Sequence, residues 1–489
     1  MVLFLEELKH RISQMEIFHI AAECYPVAKV GGLADVVGAL PKYQNNAGHL
    51  VRVVLPCYET KFINENEFDC VHSDFVKLGN FNFPFNVLKE REDKLGYELY
   101  LVQIPELFNR NEIYGYEDDI ERFLSFQIAT LDWFISRNDV PDVINCHDHH
   151  TGLIPFMMLY AYKYEKLRNT PTVITIHNSI YQGQFGFDKL YYLPEFDLSK
   201  VTVLEWDNKI NSLATAIKCA SAVTTVSPNY LNEINYSAYG LESLFNLVRH
   251  KSKGILNGID MEVWNPATDK MLPTNYSVKN FKKGKQENKE TLCSRFNLDP
   301  TKPLFSFIGR LLEEKGADLL PHAAALALSE NYKEINILVL GSGNTEIENQ
   351  LNHLLASFNG NYNVFIGYDE ELAHQIYAGS DFLLMPSRVE PCGLNQMYSL
   401  RYGTIPIVRR TGGLKDTVID FGDNGNGICH DQASVVDVCY SIQRAVNLYK
   451  DKKKLNDIRK SGMGIDHSWE SVCQEYIEVY NLILKKNEG

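Results

Sequence analysis

The chain has 489 residues, 45% of them apolar and 22% charged. That fits about two to four soluble globular domains and excludes both a single small module and a disordered chain. A formal net charge of −14 argues against a general nucleic-acid binder and against an anionic membrane surface, although a phosphorylated ligand needs only a few local cations.

The opening MVLFLEELKHRISQ carries Glu6, Glu7 and Lys9 and lacks a basic n-region and a small-residue cleavage site, so it does not read as a signal peptide. No run approaches the roughly 18–20 apolar residues of a membrane span. The ten cysteines form no C-x-x-C pair. Cys146, Cys219 and Cys439 sit in apolar runs and read as buried thiols, which suits a reducing cytoplasm.

Residues 16–22 (EIFHIAA) predict a short buried strand, followed by a Pro/Gly-containing loop from Cys24 to Gly32. Leu33, Val36, Val37 and Leu40 then mark one face of a helix, with Gly48 as its stop and residues 50–55 as the next strand. The pattern recurs. Residues 143–146 form a strand leading into a helix that carries Leu153, Met157, Tyr160 and Tyr164, and further strands are expected at 172–176, 222–226 and 254–256. Such alternation indicates a parallel sheet covered on both faces.

From about Asn265 to Cys293 the pattern lapses, with Pro266, Pro273 and a lysine-rich stretch from Lys279 to Lys289. It reads either as a surface connector entering an exposed helix or as a basic binding patch. The domain boundary is placed just before it. Strands follow at 304–308, 336–340, 364–366, 382–385 and 405–408, with helices at 346–358 and 370–377, and residues 433–486 read as helices only. The expected organisation is an extension at 1–14, a first α/β domain at 15–264 and a second at 265–489, the last helix able to pack back on the first. The fold class is α/β, with two tandem doubly wound, Rossmann-like domains facing a cleft.

Ligands of such sheets bind beyond the carboxyl ends of the strands. Standing there are Glu23, the run Lys29-Val-Gly31-Gly32-Leu with Asp35, the run His147-Asp148-His149-His150, His177-Asn178, and Asn257. In the second half they are Gly309-Arg310 with Lys315-Gly316, Gly341-Ser-Gly343, the run Glu390-Pro-Cys392-Gly393-Leu394, and Thr411-Gly412-Gly413. Glycines let a backbone approach a ligand, and helix starts offer free N–H groups to an anion.

Each feature has a plainer reading. A Gly-Gly before a helix is often only a turn, and Gly341-x-Gly343 lacks the rest of the dinucleotide fingerprint. Three histidines within four residues cannot all face one ion, so no metal site is assigned there; one of them or Asp148 faces the cleft while the others pack or cap. Arg310 and Lys315 could clamp a diphosphate as it leaves, or be ordinary surface cations. Glu390 reads as a positioned carboxylate or as a solvated loop residue. Arg409-Arg410 could equally be solvated.

Taken together, these pieces resemble bacterial glycogen synthase and its relative plant starch synthase from about Met15 to the last helices. The most specific are Lys29-Val-Gly-Gly-Leu-Ala-Asp-Val36, Thr175-Ile-His-Asn178 with Tyr181-Gln-Gly183, Gly254-Ile-Leu-Asn-Gly-Ile-Asp260, Gly309-Arg-Leu with Lys315-Gly316, Glu390-Pro-Cys-Gly-Leu394 and Arg409-Arg-Thr-Gly-Gly-Leu414. The resemblance implies the two-domain GT-B glycosyltransferase fold. It implies transfer of glucose from ADP-glucose (or UDP-glucose) to the non-reducing end of an α-1,4-glucan such as glycogen, with retention and with no metal or other cofactor.

By the same resemblance, Lys29 and the Gly31-Gly32 backbone contact donor and acceptor, and Asp35 supports that loop. Arg310 and Lys315 match the diphosphate-binding cations, Glu390 the carboxylate near the glucosyl ring, and His177 the residue that approaches the reacting sugar. Glu23 and Asn257 line the sugar pocket, Asp148 and the segment Cys392-Gly393-Leu394 belong to the substrate-binding set, and Thr411, Gly412 and Gly413 lie near the phosphates. Two departures stand out. His149 replaces the family's usual Trp after His-Asp, and Asn395 replaces the commoner Thr after Gly-Leu. The rival readings are a sucrose- or trehalose-type synthase with a small acceptor and a non-catalytic glucan-binding scaffold.

Overall fold

The computed structural model describes residues 14–331 and 334–487. The expectation for residues 1–14 therefore falls, apart from Gln14, outside the described residues. The chain divides into two compact units. The first holds the residues up to Val226, Leu231–Leu256 and the segment from Trp469; the second holds Ser227–Tyr230 and Asn257–Ser468.

The first unit is built on nine strands: β1 (Glu16–Ile20), β2 (Leu50–Pro56), β3 (Phe68–Leu78), β4 (Phe81–Glu90), β5 (Glu98–Gln103), β6 (Val143–His147), β7 (Thr172–Ile176), then β11 (Ala222–Thr225) and β12 (Ser252–Gly254). Between β7 and β11 lie β8 (Gln184–Phe185), β9 (Glu205–Trp206) and β10 (Lys209–Asn211), which form a small separate sheet. The main order is β12-β11-β7-β6-β1-β2-β5-β4-β3. All pairings from β12 to β5 are parallel. Ile17, Phe18 and Ile20 of β1 are all fully buried, as expected of a strand covered on both faces. The helix Gly32–Asn46 turns Leu33, Val36, Val37 and Leu40 inward, the face predicted from their spacing.

An antiparallel hairpin of β3 and β4 extends the sheet's edge. The sequence reading did not find it, although Gly79-Asn80 between two apolar-bearing runs is a hairpin signal. The expected helix through Tyr164 is shorter: it spans Ile154–Tyr160 and breaks at Ala161, followed by a 3₁₀ segment Tyr162–Leu167.

The second unit has β13 (Leu304–Ile308), β14 (Asn336–Gly341), β15 (Tyr362–Ile366), β16 (Phe382–Met385), β17 (Ile405–Arg409) and β18 (Ile428–His430). All are parallel, in the order β15-β14-β13-β16-β17-β18. This is the 3-2-1-4-5-6 order of dinucleotide-binding folds, and β18 was not anticipated. All ten cysteines are free. Cys146 and Cys439 are buried, whereas Cys219 is partly exposed. Among the described residues no helix is long and apolar enough to cross a membrane.

The expected boundary at 264/265 moves to 256/257. Asn257 N–H donates to Cys392 Sγ (3.4 Å), Ile259 N–H to the His467 carbonyl (2.8 Å), and the Trp264 ring stacks on His374 and Tyr398, all within the second unit. The last helix, Trp469–Asn487, belongs to the first unit. Its Trp469, Tyr476 and Tyr480 share a core with Ile17, Val36 and Val51.

The lysine-rich stretch enters its helix as an exposed connector would, with Lys279, Lys282 and Lys283 exposed, but its later lysines are buried and form no surface patch. It opens the helix Phe281–Arg295, which buries Lys285 and Lys289. Lys285 Nζ donates to the carbonyls of Ala378 (2.9 Å) and Tyr402 (3.2 Å) and to Thr404 Oγ1 (2.7 Å). Lys289 Nζ pairs with Asp381 (2.7 Å), which also takes Arg459 and the Leu304 N–H. Burial opposes the Asp381 charge, but Lys289 and Arg459 outweigh it and hold the carboxyl well below the usual range. Asp381→Asn leaves two buried cations without their counter-ion, and denaturant unfolding should show a loss of about 3–5 kcal/mol.

Candidate functional site

In each sheet the strand order reverses between two central strands, β1 and β6 in the first unit and β13 and β16 in the second. The connections leave to opposite faces there and open a crevice at the strand ends. The candidate residues gather on the loops that follow these strands and their neighbours.

After β1 the loop is held by one carboxylate. Buried Glu23 accepts from the N–H groups of Val30 (2.6 Å) and Gly31 (2.8 Å) through Oε2 and from the Tyr114 hydroxyl (2.8 Å) through Oε1. Its place is therefore beneath the Lys29–Gly32 loop, and Tyr114, which the sequence did not flag, completes it. Lys29 Nζ pairs with Asp35 (2.6 Å) and lies over the Tyr25 ring. Gly31 has ordinary extended φ of −139°, and a Cβ on Gly31 or on Gly32 would meet nothing within 4 Å. The fold requires glycine at neither position, so the open space above them is available to a ligand.

Asp148, after β6, has φ 56° and ψ −175°, a region that non-glycine residues enter only when the surroundings enforce it. Its Oδ1 accepts from the His177 N–H (2.7 Å), so it fixes the peptide leaving β7. Burial, opposed by the N–H groups of His177 and Asn178, pushes Asp148 up to about 7. The neighbouring histidines diverge. His147 lies 3.0 Å from His19 and 3.0 Å from His177 through its two ring nitrogens. His149, in the place of the family's Trp, lies against His150 with ring centroids 3.7 Å apart and planes tilted by 36°.

In the second unit the two cations after β13 are each held by a carboxylate. Lys315 Nζ lies 2.7 and 2.8 Å from the two oxygens of Glu390, whose Oε2 also takes the Ser387 hydroxyl (2.9 Å). Arg310, half exposed, pairs with Glu314 (2.7 Å). Glu390 is buried and Lys315 partly exposed. Arg409 is not merely solvated: it donates to the carbonyls of Ser387 and Arg388 and so fastens the segment before Glu390. Arg410 pairs with Asp431 (2.9 Å).

Cys392 is buried, and desolvation pushes its thiol up to about 12, which leaves it protonated and unreactive. Asn257 Oδ1 is buried and has no hydrogen-bond partner among the described residues. Leu394 stands just before the helix Asn395–Arg401, and Asn395 Nδ2 donates to the Ile308 carbonyl (2.8 Å), tying that helix to the end of β13.

The second Gly-Gly pair is unlike the first. A Cβ on Gly412 would lie 1.9 Å from the Glu390 carbonyl, and one on Gly413 2.2 Å from the Cys392 carbonyl. The Gly413 N–H also donates to the Glu390 carbonyl (3.1 Å). Thr411-Gly412-Gly413 thus has a packing duty, holding the Glu390–Leu394 segment at backbone contact.

Comparisons with known proteins identify the family. Residues 16–250 match the family model described as the starch synthase catalytic domain, and residues 288–462 that of glycosyl transferases group 1. A glycogen synthase from Flavobacterium johnsoniae is 75% identical over 472 residues, covering 96% of this chain and 100% of the relative. The chain belongs to the glycogen/starch synthase family. A glycogen synthase from Geobacillus stearothermophilus is 38% identical, covering 97% of this chain and 99% of its own. Among solved structures, the catalytic domain of starch synthase IV from Arabidopsis thaliana, bound to ADP and acarbose, superposes with a TM-score of 0.88 at 32% identity, covering 97% of this chain and all of that one. The enzyme is thus a glycosyltransferase of the glycogen/starch synthase type with the GT-B fold.

Two predictions separate packing duties from ligand duties in this glycogen/starch synthase. Gly31→Ala should change stability by no more than about 1 kcal/mol, yet lower glucan synthesis about 100-fold by filling the open space above the loop. Gly413→Ala should instead destabilise the fold by about 1–3 kcal/mol or more, seen as a lower unfolding midpoint. A third prediction concerns Asp148. With a folded value near 7 against about 3.9 unfolded, the native chain holds the extra proton between these limits. Its contribution is complete below pH 4 and is lost as pH rises through 7, by up to about 4 kcal/mol. Asp148→Asn keeps the acceptor for the His177 N–H and removes the titration. Its stability, followed by thermal unfolding, should therefore fall less between pH 4 and pH 8 than that of the parent.

Proposed function

We propose that the enzyme transfers glucose from ADP-glucose to the non-reducing 4-hydroxyl of an α-1,4-glucan, with retention at the anomeric carbon. The observation that carries the reading is the pair of cations after β13. Lys315 and Arg310 are each oriented by a carboxylate of the same unit, so positive charge is already in place where a diphosphate would leave. Preorganised charge of this kind costs no reorganisation as the transition state forms.

In this reading the C1–O bond to the diphosphate breaks while the acceptor 4-hydroxyl attacks from the same face. The new C1–O4 bond forms, and the hydroxyl proton passes to a departing phosphate oxygen. Arg310 and Lys315 take up the charge of the diphosphate. Glu390 holds Lys315 and faces the glucosyl ring, Asn257 Oδ1 offers an acceptor for a sugar hydroxyl, and His177 approaches the reacting sugar. Lys29 and the open Gly31-Gly32 backbone supply the sugar-side contacts. ADP in the starch synthase IV structure favours adenine over uracil, and ten free thiols suit action in a reducing cytoplasm.

The test incubates the protein with glycogen and either ADP-glucose or UDP-glucose, measuring nucleoside diphosphate release and glucan elongation. Elongation with ADP-glucose is expected to dominate. Arg310→Ala and Lys315→Ala should each lower kcat by about 10²–10³, Arg310→Ala with an unchanged unfolding midpoint. Transfer to fructose or a hexose phosphate in preference to glycogen would replace this reading with that of a small-acceptor synthase. Glucan binding without diphosphate release would leave only a scaffold.

A further inference from the structure

A continuous chain of buried hydrogen bonds runs inward from His177. His177 Nε2 lies 3.0 Å from His147 Nδ1, and His147 Nε2 lies 3.0 Å from His19 Nδ1. His19 Nε2 lies 2.7 Å from Gln44 Oε1, and Gln44 Nε2 lies 3.3 Å from the hydroxyl of Tyr480, which is 2.8 Å from Asn145 Oδ1. His19, Gln44, Asn145, His147 and Tyr480 are all fully buried in the first unit. The chain thus links the ends of β6 and β7 to the middle of β1, the helix Gly32–Asn46 and the C-terminal helix.

The direction of every proton follows from one carbonyl. Asn145 Nδ2 lies 3.2 Å from the Cys146 carbonyl and 2.8 Å from Thr175 Oγ1. A carbonyl only accepts, so the amide nitrogen is on that side and Oδ1 faces Tyr480. The single Tyr480 proton then goes to Asn145, and its oxygen accepts from Gln44 Nε2. Gln44 Oε1 therefore takes a proton from His19 Nε2. Burial pushes His19 down to about 4, His177 down to about 3 and His147 well below the usual range, so each ring is neutral and carries one hydrogen. His19 Nδ1 consequently accepts from His147 Nε2, and His147 Nδ1 accepts from His177 Nε2.

The reverse polarity would use the 3.2 Å contact of Asn145 Nδ2 with His147 Nε2. It would also turn Gln44 over and set Tyr480, with one proton, between two carbonyl oxygens. One of those contacts would then hold no hydrogen, at the cost of an unmade buried bond.

We propose that Tyr480, Gln44, His19 and His147 act as positioning residues that fix His177 with hydrogen on Nε2 and a lone pair on Nδ1. Nδ1 takes no hydrogen bond among the described residues. It is thereby presented as an obligate acceptor, suited to a hydroxyl of the bound sugar and unable to donate to it. The sugar contact rests on the placement of His177 in the site under the proposed function; the tautomer does not.

The experiment is long-range proton–nitrogen NMR of the full chain labelled at histidine, with His177 assigned through His177→Asn. The parent should show His177 protonated on Nε2 throughout pH 6–8. Tyr480→Phe and Gln44→Met preserve shape and remove the constraint, so both should introduce the Nδ1–H form and lower kcat/KM for glucan synthesis about tenfold or more. A parent His177 protonated on Nδ1 overturns the proposal. So does an unchanged tautomer in both folded variants. A shifted tautomer with undiminished synthesis supports the relay and removes His177 from contact with the substrate.

Discussion

A parallel sheet that reverses its strand order leaves a gap at one place along its carboxyl edge, and this constraint decides where the chemistry can sit. The connections after the two central strands depart to opposite faces, so neither covers the crevice between them. Both units meet it, after β1 and β6 and after β13 and β16. Lys29, Asp148, Lys315 and Glu390 all lie on those four connections. The sheets supply positions, and only the side chains on the loops make the positions into a glycosyltransferase.

The charges of the second unit fall into two regimes. Asp381 is wholly enclosed between Lys289 and Arg459, and with no water to replace a lost partner the triad is fixed. Lys315 and Arg310 are paired but reach solvent, so neither cation is locked inside the fold as Lys289 and Arg459 are. In the first unit the carboxylates of Glu23 and Asp148 are spent on backbone N–H groups. They shape the loops after β1 and β6 and leave the open face to glycine and lysine.

The sequence made legible what is local. Strands β13 to β17 of the second unit and the helix faces follow from apolar runs and 3.6-residue spacing, and the site loops follow from their place after those strands. What it hid depends on distant partners. Lys285 and Lys289 resembled surface cations because the carbonyls and Asp381 that satisfy them lie about 90 residues away. The edge hairpin was passed over because β3 and β4 carry exposed polar residues and Pro84 rather than an apolar run. Gly31-Gly32 and Gly412-Gly413 read alike, and only the atoms around a Cβ tell a ligand space from a packing contact.

The last helix shows how a core can direct a site. Trp469 and Tyr480 are held there by the apolar area they bury with Ile17 and Val36, yet a tyrosine placed inside must still find partners for its hydroxyl. Tyr480 found two, Gln44 and Asn145, and a hydroxyl with one proton between an amide nitrogen and a carbonyl oxygen has a direction. In a low-dielectric interior each further bond must agree with the one before it or leave a buried group unmade. The direction therefore cannot be lost along the way, and the seating of the helix and the polarity of His177 are one variable. Substitutions that reseat this helix would act on glucan synthesis without touching either substrate.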